Sequence, residues 1–139
     1  MITFNYECDF KLDDETIYAD WISRVVESED LVVGAINYIF CDDAYLHTIN
    51  VTYLDHDTLT DIISFDYGEG AVVSGDMFIS IERVRDNASD FDVLFTEELR
   101  RVMAHGILHY CGYQDKTEAD EEEMRGKENE KMLLFHVEQ

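Results

Sequence analysis

Proline is absent from this chain and basic residues are scarce. With no proline and no Ser/Gly-rich stretch, no segment reads as an interdomain linker. One domain spanning residues 1–139 is therefore expected, and a hydrophobic content of 46% is enough to give it a real core. Internal repeats at solenoid or propeller periods are also missing. Long apolar runs are missing too: none approaches the roughly 20 residues that cross a bilayer, so no membrane association is expected. The opening Met1-Ile-Thr-Phe-Asn-Tyr-Glu-Cys8 is not a basic leader followed by an apolar run, so no signal peptide is expected. Cysteines are few, odd in number and irregularly spaced. Cys8, Cys41 and Cys111 read as reduced thiols, which points to a cytoplasmic protein.

Ten Lys and Arg stand against 32 Asp and Glu, a formal net charge of −22. Affinity for nucleic acid comes largely from cations that displace counterions from phosphates. This balance opposes generic binding, and DNA is not an expected partner. Arg83, Arg85, Arg100 and Arg101 cluster in sequence just before His105, which leaves room for a basic patch there. The acidic excess is densest in Glu118 and Asp120-Glu-Glu-Glu123, which reads as the solvated opening of a helix.

Periodicity gives the elements. Residues 2–8 alternate apolar and polar as a half-buried strand does. Asp13 or Asp14 caps a helix whose apolar positions (Ile17, Tyr18, Trp21, Ile22, Val25, Val26) follow the 3.6-residue period. Residues 31–40 form a second strand, and Asp42 or Asp43 caps a short helix carrying Ala44, Leu46, Ile49 and Tyr53. Residues 60–67 form a third strand, 68–75 a loop and 76–81 a fourth strand. A short helix follows over 82–88, then a long one over 92–110 that ends at Gly112. Thr117-Glu-Ala-Asp120 resembles a capping box and opens a last helix. The fold class predicted is α+β, a single layer structure of about four strands in a mixed sheet packed against helices.

Coordinating side chains gather in one place, His105-Gly-Ile-Leu-His109-Tyr-Cys-Gly-Tyr-Gln-Asp115. Histidines at i and i+4 project from the same helix face, and the turn at Gly112 can bring Asp115 back toward them. Three protein ligands with a fourth position left for water is the catalytic pattern for zinc. A histidine pair alone often binds nothing, and Cys111 reads either as a further ligand or as a small residue buried at the helix end. Zinc peptidases of the His-Glu-x-x-His kind place their general base where this chain has Gly106, which argues against that class. Gly106 instead suggests that another backbone approaches closely, since glycine costs a helix interior about 1 kcal/mol.

The segment from His105 to Asp115 resembles the signature of the YbeY family of metal-dependent endoribonucleases, His-Gly-x-Leu-His-x-x-Gly-Tyr-Asp-His. Asn50-Val-Thr-Tyr53, Thr60-Asp-Ile-Ile-Ser-Phe65 and Gly75-Asp76 resemble further family segments in the same order, so the likeness covers roughly residues 45–135. The chain departs from the pattern at two points. Asp115 stands where the family has histidine, a harder ligand that shifts preference toward manganese or iron. Leu54 stands where many members have an arginine, and His56 is a candidate substitute.

The resemblance implies a single-strand-specific endoribonuclease acting in ribosomal RNA maturation, particularly of the small subunit, and in ribosome quality control. The implied partners are ribosomal RNA and the small subunit or its assembly factors. One divalent ion, zinc by expectation, would be held by His105, His109 and Asp115, and would lower the pKa of the water that attacks the phosphodiester. Thr60 and Asp61 would lie on a strand beside the metal helix. Asp61 would orient a ligand histidine, accept a proton or cap the strand by a local turn. Arg101 would stabilise phosphate charge or pair with Glu97. Two other readings stay open: a metal hydrolase of a peptide or small ester, and a ribosome-associated binding protein with a structural metal.

Overall fold

A computed structural model describes residues 1–54 and 60–136, so His56 lies outside the described residues. The elements run β1 (Ile2–Tyr6), α1 (Glu15–Ser28), β2 (Val32–Cys41), α2 (Asp43–Leu54), β3 (Ile62–Asp66), β4 (Val72–Ser80), α3 (Ile81–Phe91), α4 (Phe95–Tyr110) and α5 (Glu118–Leu133), closed by a 3₁₀ turn, Leu134–His136. The four strands form one sheet in the order β1-β2-β4-β3. β1 and β4 both run parallel to β2, and β3 pairs antiparallel with β4 along the edge. This is the mixed α+β sheet the sequence predicts.

Side-chain alternation on the strands builds two cores. Ile36, Tyr38, Phe40, Met77 and Ile79 pack on one face against Trp21, Ile22 and Val25 of α1 and Val102, Met103 and Ile107 of α4. Cys41, Leu46, Ile49 and Ile63 form the smaller cluster under α2 on the other face. Each large apolar side chain taken fully out of water contributes roughly 1.5–3 kcal/mol. The caps are made by short polar side chains. Asp14 accepts from the Ile17 N–H, Asp42 from Tyr45, Ser80 from Arg83 and Thr117 from Asp120.

The sequence reading misplaces the starts of β4 and α4. β4 begins at Val72, inside the segment expected to be loop, because Glu69 and Val72 bridge across a tight turn. Gly75 is a strand residue: a Cβ there would sit 2.5 Å from the Phe65 carbonyl oxygen and 2.6 Å from the Tyr110 ring. Asp92 does not open α4. It ends α3 in the left-handed conformation, φ 57°, which a short polar side chain tolerates, and α4 starts at Phe95.

Candidate metal centre

Helix α4 lies across β4 and the edge strand β3, and Gly106 makes that fit possible. A Cβ at position 106 would meet Met77 Sδ at 2.5 Å and Ile62 Cδ1 at 2.8 Å. The close approach is thus of two side chains, not of the backbone expected from the sequence. It brings His105 and His109 over Thr60, Asp61, Ile62 and Ser64, and these residues with Gly106 and Asp115 line a cavity of ≈ 270 Å³. Thr60 and Asp61 precede β3, which begins at Ile62.

Gly112, at φ 107°, turns the chain at the end of α4. The Tyr113 hydroxyl then donates to Glu29 Oε1 at 2.7 Å, and Lys127 Nζ lies 5.6 Å from the Tyr113 ring centre. This anchors the loop and sets Asp115 Oδ2 at 3.2 Å from His105 Nε2 and 3.3 Å from His109 Nε2, while the two Nε2 atoms are 3.0 Å apart. A tetrahedral ion with ligand bonds of about 2.0–2.1 Å spaces its ligands about 3.3–3.4 Å apart. The three edges are close to that spacing, so the residues fit a single small divalent ion. Among the described residues no other His, Cys, Asp or Glu joins the cluster. Cys111 stays out of it, and burial, followed by the charge of Glu29, pushes its thiol up to about 11.

Each histidine is fixed from behind. His109 Nδ1 lies 3.0 Å from the Tyr113 carbonyl, which can only accept, so Nδ1 carries the proton. His105 Nδ1 lies 2.7 Å from Glu128 Oε2. Burial pushes Glu128 up, but hydrogen bonds from His105 and Arg101 outweigh it and hold the group below the ordinary glutamate value, as a carboxylate. Burial opposes protonation of His105, and Glu128 with Asp115 and Asp61 overcomes it, so this imidazole is more basic than usual. In the neutral ring of both histidines the Nε2 lone pair therefore faces the cluster.

Glu128 was not foreseen in the sequence. It is 5% exposed on α5, and Met124 and Lys131 are buried on the same stripe. That i, i+4, i+7 spacing was its signal: two charges standing where a helix turns inward.

The four arginines before His105 do not make the basic patch that their sequence positions suggested. Arg83 pairs with Asp43 at 3.1 Å and with Asp86, Arg85 lies over Phe95 and Arg100 over Phe135. Arg101 bonds Glu128 Oε1 and Asn129 Oδ1, each at 2.9 Å, instead of the expected Glu97. It borders a second cavity of ≈ 210 Å³ shared with Asp61, Glu98, His105 and Glu128. Asp61 faces both cavities, and burial raises its carboxyl above the ordinary aspartate value despite the nearby His105.

The fold and the cluster define a small α+β protein with an open, three-donor site able to hold one divalent ion at the edge of its sheet. A family model described as Endoribonuclease YbeY matches residues 4–136, and the chain belongs to that family. Proteins named Endoribonuclease YbeY are 66% identical in Flavobacterium johnsoniae, over the whole of both chains, and 63% identical in Flavobacterium psychrophilum, over all of this chain and 99% of that one. A Porphyromonas gingivalis protein of the same name is 46% identical over 86% of this chain and 79% of its own. The solution structure of a Thermotoga maritima protein shares the fold, with a TM-score of 0.68 at 24% identity over 99% of this chain and 91% of that one. No helix among the described residues is long and apolar enough to cross a membrane.

Proposed function

We propose that this protein is a metal-dependent, single-strand-specific endoribonuclease of ribosomal RNA maturation in the cytoplasm, acting on the small subunit and its assembly intermediates and serving ribosome quality control. The observation that carries the reading is the openness of the site. Three donor atoms face a cavity that also holds Thr60 and Asp61, and no fourth protein donor among the described residues closes it. A structural ion is normally enclosed by four protein ligands, so the open side favours catalysis.

His105, His109 and Asp115 are the ligands we assign, and zinc suits two imidazoles and a carboxylate at this spacing. When bound, such an ion supplies Lewis acidity toward water and toward a phosphoryl oxygen. The chain's own residues supply the rest. Glu128 holds His105 with its proton on Nδ1, and the Tyr113 carbonyl does the same for His109. In this reading Asp61, whose carboxyl burial raises above the ordinary aspartate value, takes a proton from the attacking water and passes it to the leaving oxygen. Thr60, on the cavity wall, donates a hydrogen bond to substrate in this reading. Arg101, with its charge committed to Glu128, acts as a positioning residue.

Elemental analysis and cleavage of single-stranded RNA, run on wild type and His105→Ala, test the assignment. The wild type is expected to carry one divalent ion per chain and to cleave, and the variant to lose both. Full metal occupancy in His105→Ala would overturn the ligand set, and cleavage that persists after chelation would overturn the metal dependence.

A further inference from the structure

The strand beside the metal cavity has a second face. On β3, Ser64 lines the metal cavity, whereas the next residue, Phe65, lines a separate cavity of ≈ 370 Å³. Successive residues of a strand point to opposite faces, so the two cavities sit back to back across one edge strand. Tyr110, next to the ligand His109, ties them together. Its hydroxyl lies 3.0 Å from the Phe65 carbonyl and 2.9 Å from that of Asp76, the residue paired with Phe65 on β4.

The second cavity is walled by aromatic rings. Tyr53 and Phe65 stand at 81° with centres 6.1 Å apart, and Phe65 and Phe78 at 86° with centres 6.0 Å apart. Tyr45 continues the wall at 6.4 Å from Phe78. Tyr53 and Tyr67 are 70% and 62% exposed, far more than aromatic side chains that merely fill a core. Asp76 also lines this cavity, and its Oδ1 accepts from Asn37 Nδ2 at 2.9 Å. Small-ligand sites run from about 300 to 1,000 Å³, so this one suits a single ring system and not a duplex or a helix. Asp76 repels a phosphate and accepts from an exocyclic amine. Tyr53 and Phe65 also lie in the Asn50–Tyr53 and Thr60–Phe65 segments, whose aromatic members the metal site leaves unused.

We infer that this pocket takes one nucleobase of the RNA strand, flanking the scissile phosphate, so that the substrate crosses β3 with its phosphate on the metal side and a neighbouring base stacked on the aromatic side. This rests on the endoribonuclease reading and answers a difficulty in it. Arg101, the half-buried arginine beside the metal site, is committed to Glu128 and Asn129, and among the described residues only the exposed Arg125 is left there for phosphate; a strand held weakly through its phosphates can be held through the faces of its bases.

The test measures the affinity of the metal-loaded protein for a short, end-labelled single-stranded RNA by fluorescence anisotropy, and cleavage of the same RNA separately. Tyr53→Ala and Tyr67→Ala are each expected to weaken binding about 10-fold, the effect of one lost base stack, with metal content unchanged. Tyr53→Phe, which keeps the ring, is expected to bind as wild type does. One abasic position in the RNA should weaken wild type by the same factor and Tyr53→Ala by nothing further. Unchanged affinity in both alanine variants, or abasic and alanine losses that simply add, would overturn the pocket assignment whether or not the RNA is cleaved. Absence of cleavage by the wild type would instead strike the endoribonuclease reading, and the binding measurements would still decide the pocket.

Discussion

Glu128→Gln keeps the shape of a side chain and exchanges one acceptor oxygen for a donor. In the native protein both oxygens are used, Oε2 by His105 Nδ1 at 2.7 Å and Oε1 by Arg101 Nη1 at 2.9 Å. Glutamine has one acceptor to offer. If it serves Arg101, the amide NH₂ faces His105, whose Nδ1 must then accept, and the ring proton moves to Nε2, the atom that faces the cluster. If it serves His105, the NH₂ meets the guanidinium donor to donor. The first arrangement blocks the ligand and the second strains its support, so metal affinity should fall about 10–100-fold, or about 1.4–2.8 kcal/mol. Stability of the metal-free protein should fall by a comparable amount, about 1–3 kcal/mol for a group left without its bond, with Asn129 still holding Arg101 Nη2 at 2.9 Å. Competition titration against a chromophoric chelator measures the first, urea unfolding of the metal-free protein the second, and ¹⁵N NMR of the His105 ring its tautomer. Wild-type metal affinity in a folded Glu128→Gln protein would refute the reasoning, even if stability fell as expected.

Gly106→Ala places a Cβ 2.5 Å from Met77 Sδ. Overpacking of about 1–3 kcal/mol less the helix preference for alanine of about 1 kcal/mol leaves a net loss of up to about 2 kcal/mol, read as a lower urea midpoint; an equal or higher midpoint would mean that Met77 yields freely. Lys131→Met removes a 1%-exposed residue whose Nζ lies 2.8 Å from Glu29 Oε2, and should cost about 3 kcal/mol at neutral pH. Burial alone would raise Glu29, but hydrogen bonds from Lys131 and Tyr113 hold it below the ordinary 4.5, so its stabilisation is complete above that value and lost as pH falls through the folded value. In Lys131→Met burial is left to raise the carboxyl, so Glu29 contributes less acid destabilisation or none, and the stability gap between wild type and variant should narrow as pH falls below about 4.5; a gap that stays constant or widens in thermal unfolding would contradict this. RNA affinity should vary only modestly with salt, since each phosphate contact on a single strand adds about −0.7 to the slope of log K against log salt and Arg125, with a 3.8 Å contact to Glu128, is the exposed arginine beside the metal cavity; a slope several times steeper would contradict this.

The cluster of His105, His109 and Asp115 was legible because its members lie within one helix and one turn, where an i, i+4 rule and a helix-ending glycine are local facts. Glu128 comes from another helix, and nothing near His105 announces it. Its own helix does, through the buried stripe of Met124, Glu128 and Lys131. Arginines close together in sequence suggested a patch, but Arg83 and Arg101 each found a carboxylate on a different element, Asp43 and Glu128. Gly75 read as loop because its value to the fold, room for the Tyr110 ring beside a β-strand, depends on a residue far along the chain. The alternating strands and the 3.6-residue period of α1 carried the α+β architecture directly, since those patterns follow from which face meets the core.

The dependence of His105 on α5 also sets an order of assembly. A nascent chain emerges N-terminus first, so the two histidines of α4 are exposed before Glu128 exists to turn the first of them. Until α5 docks, with Glu128 against His105 and Lys131 against Glu29, nothing fixes the tautomer of His105, whereas the Tyr113 carbonyl, on the same turn, holds that of His109.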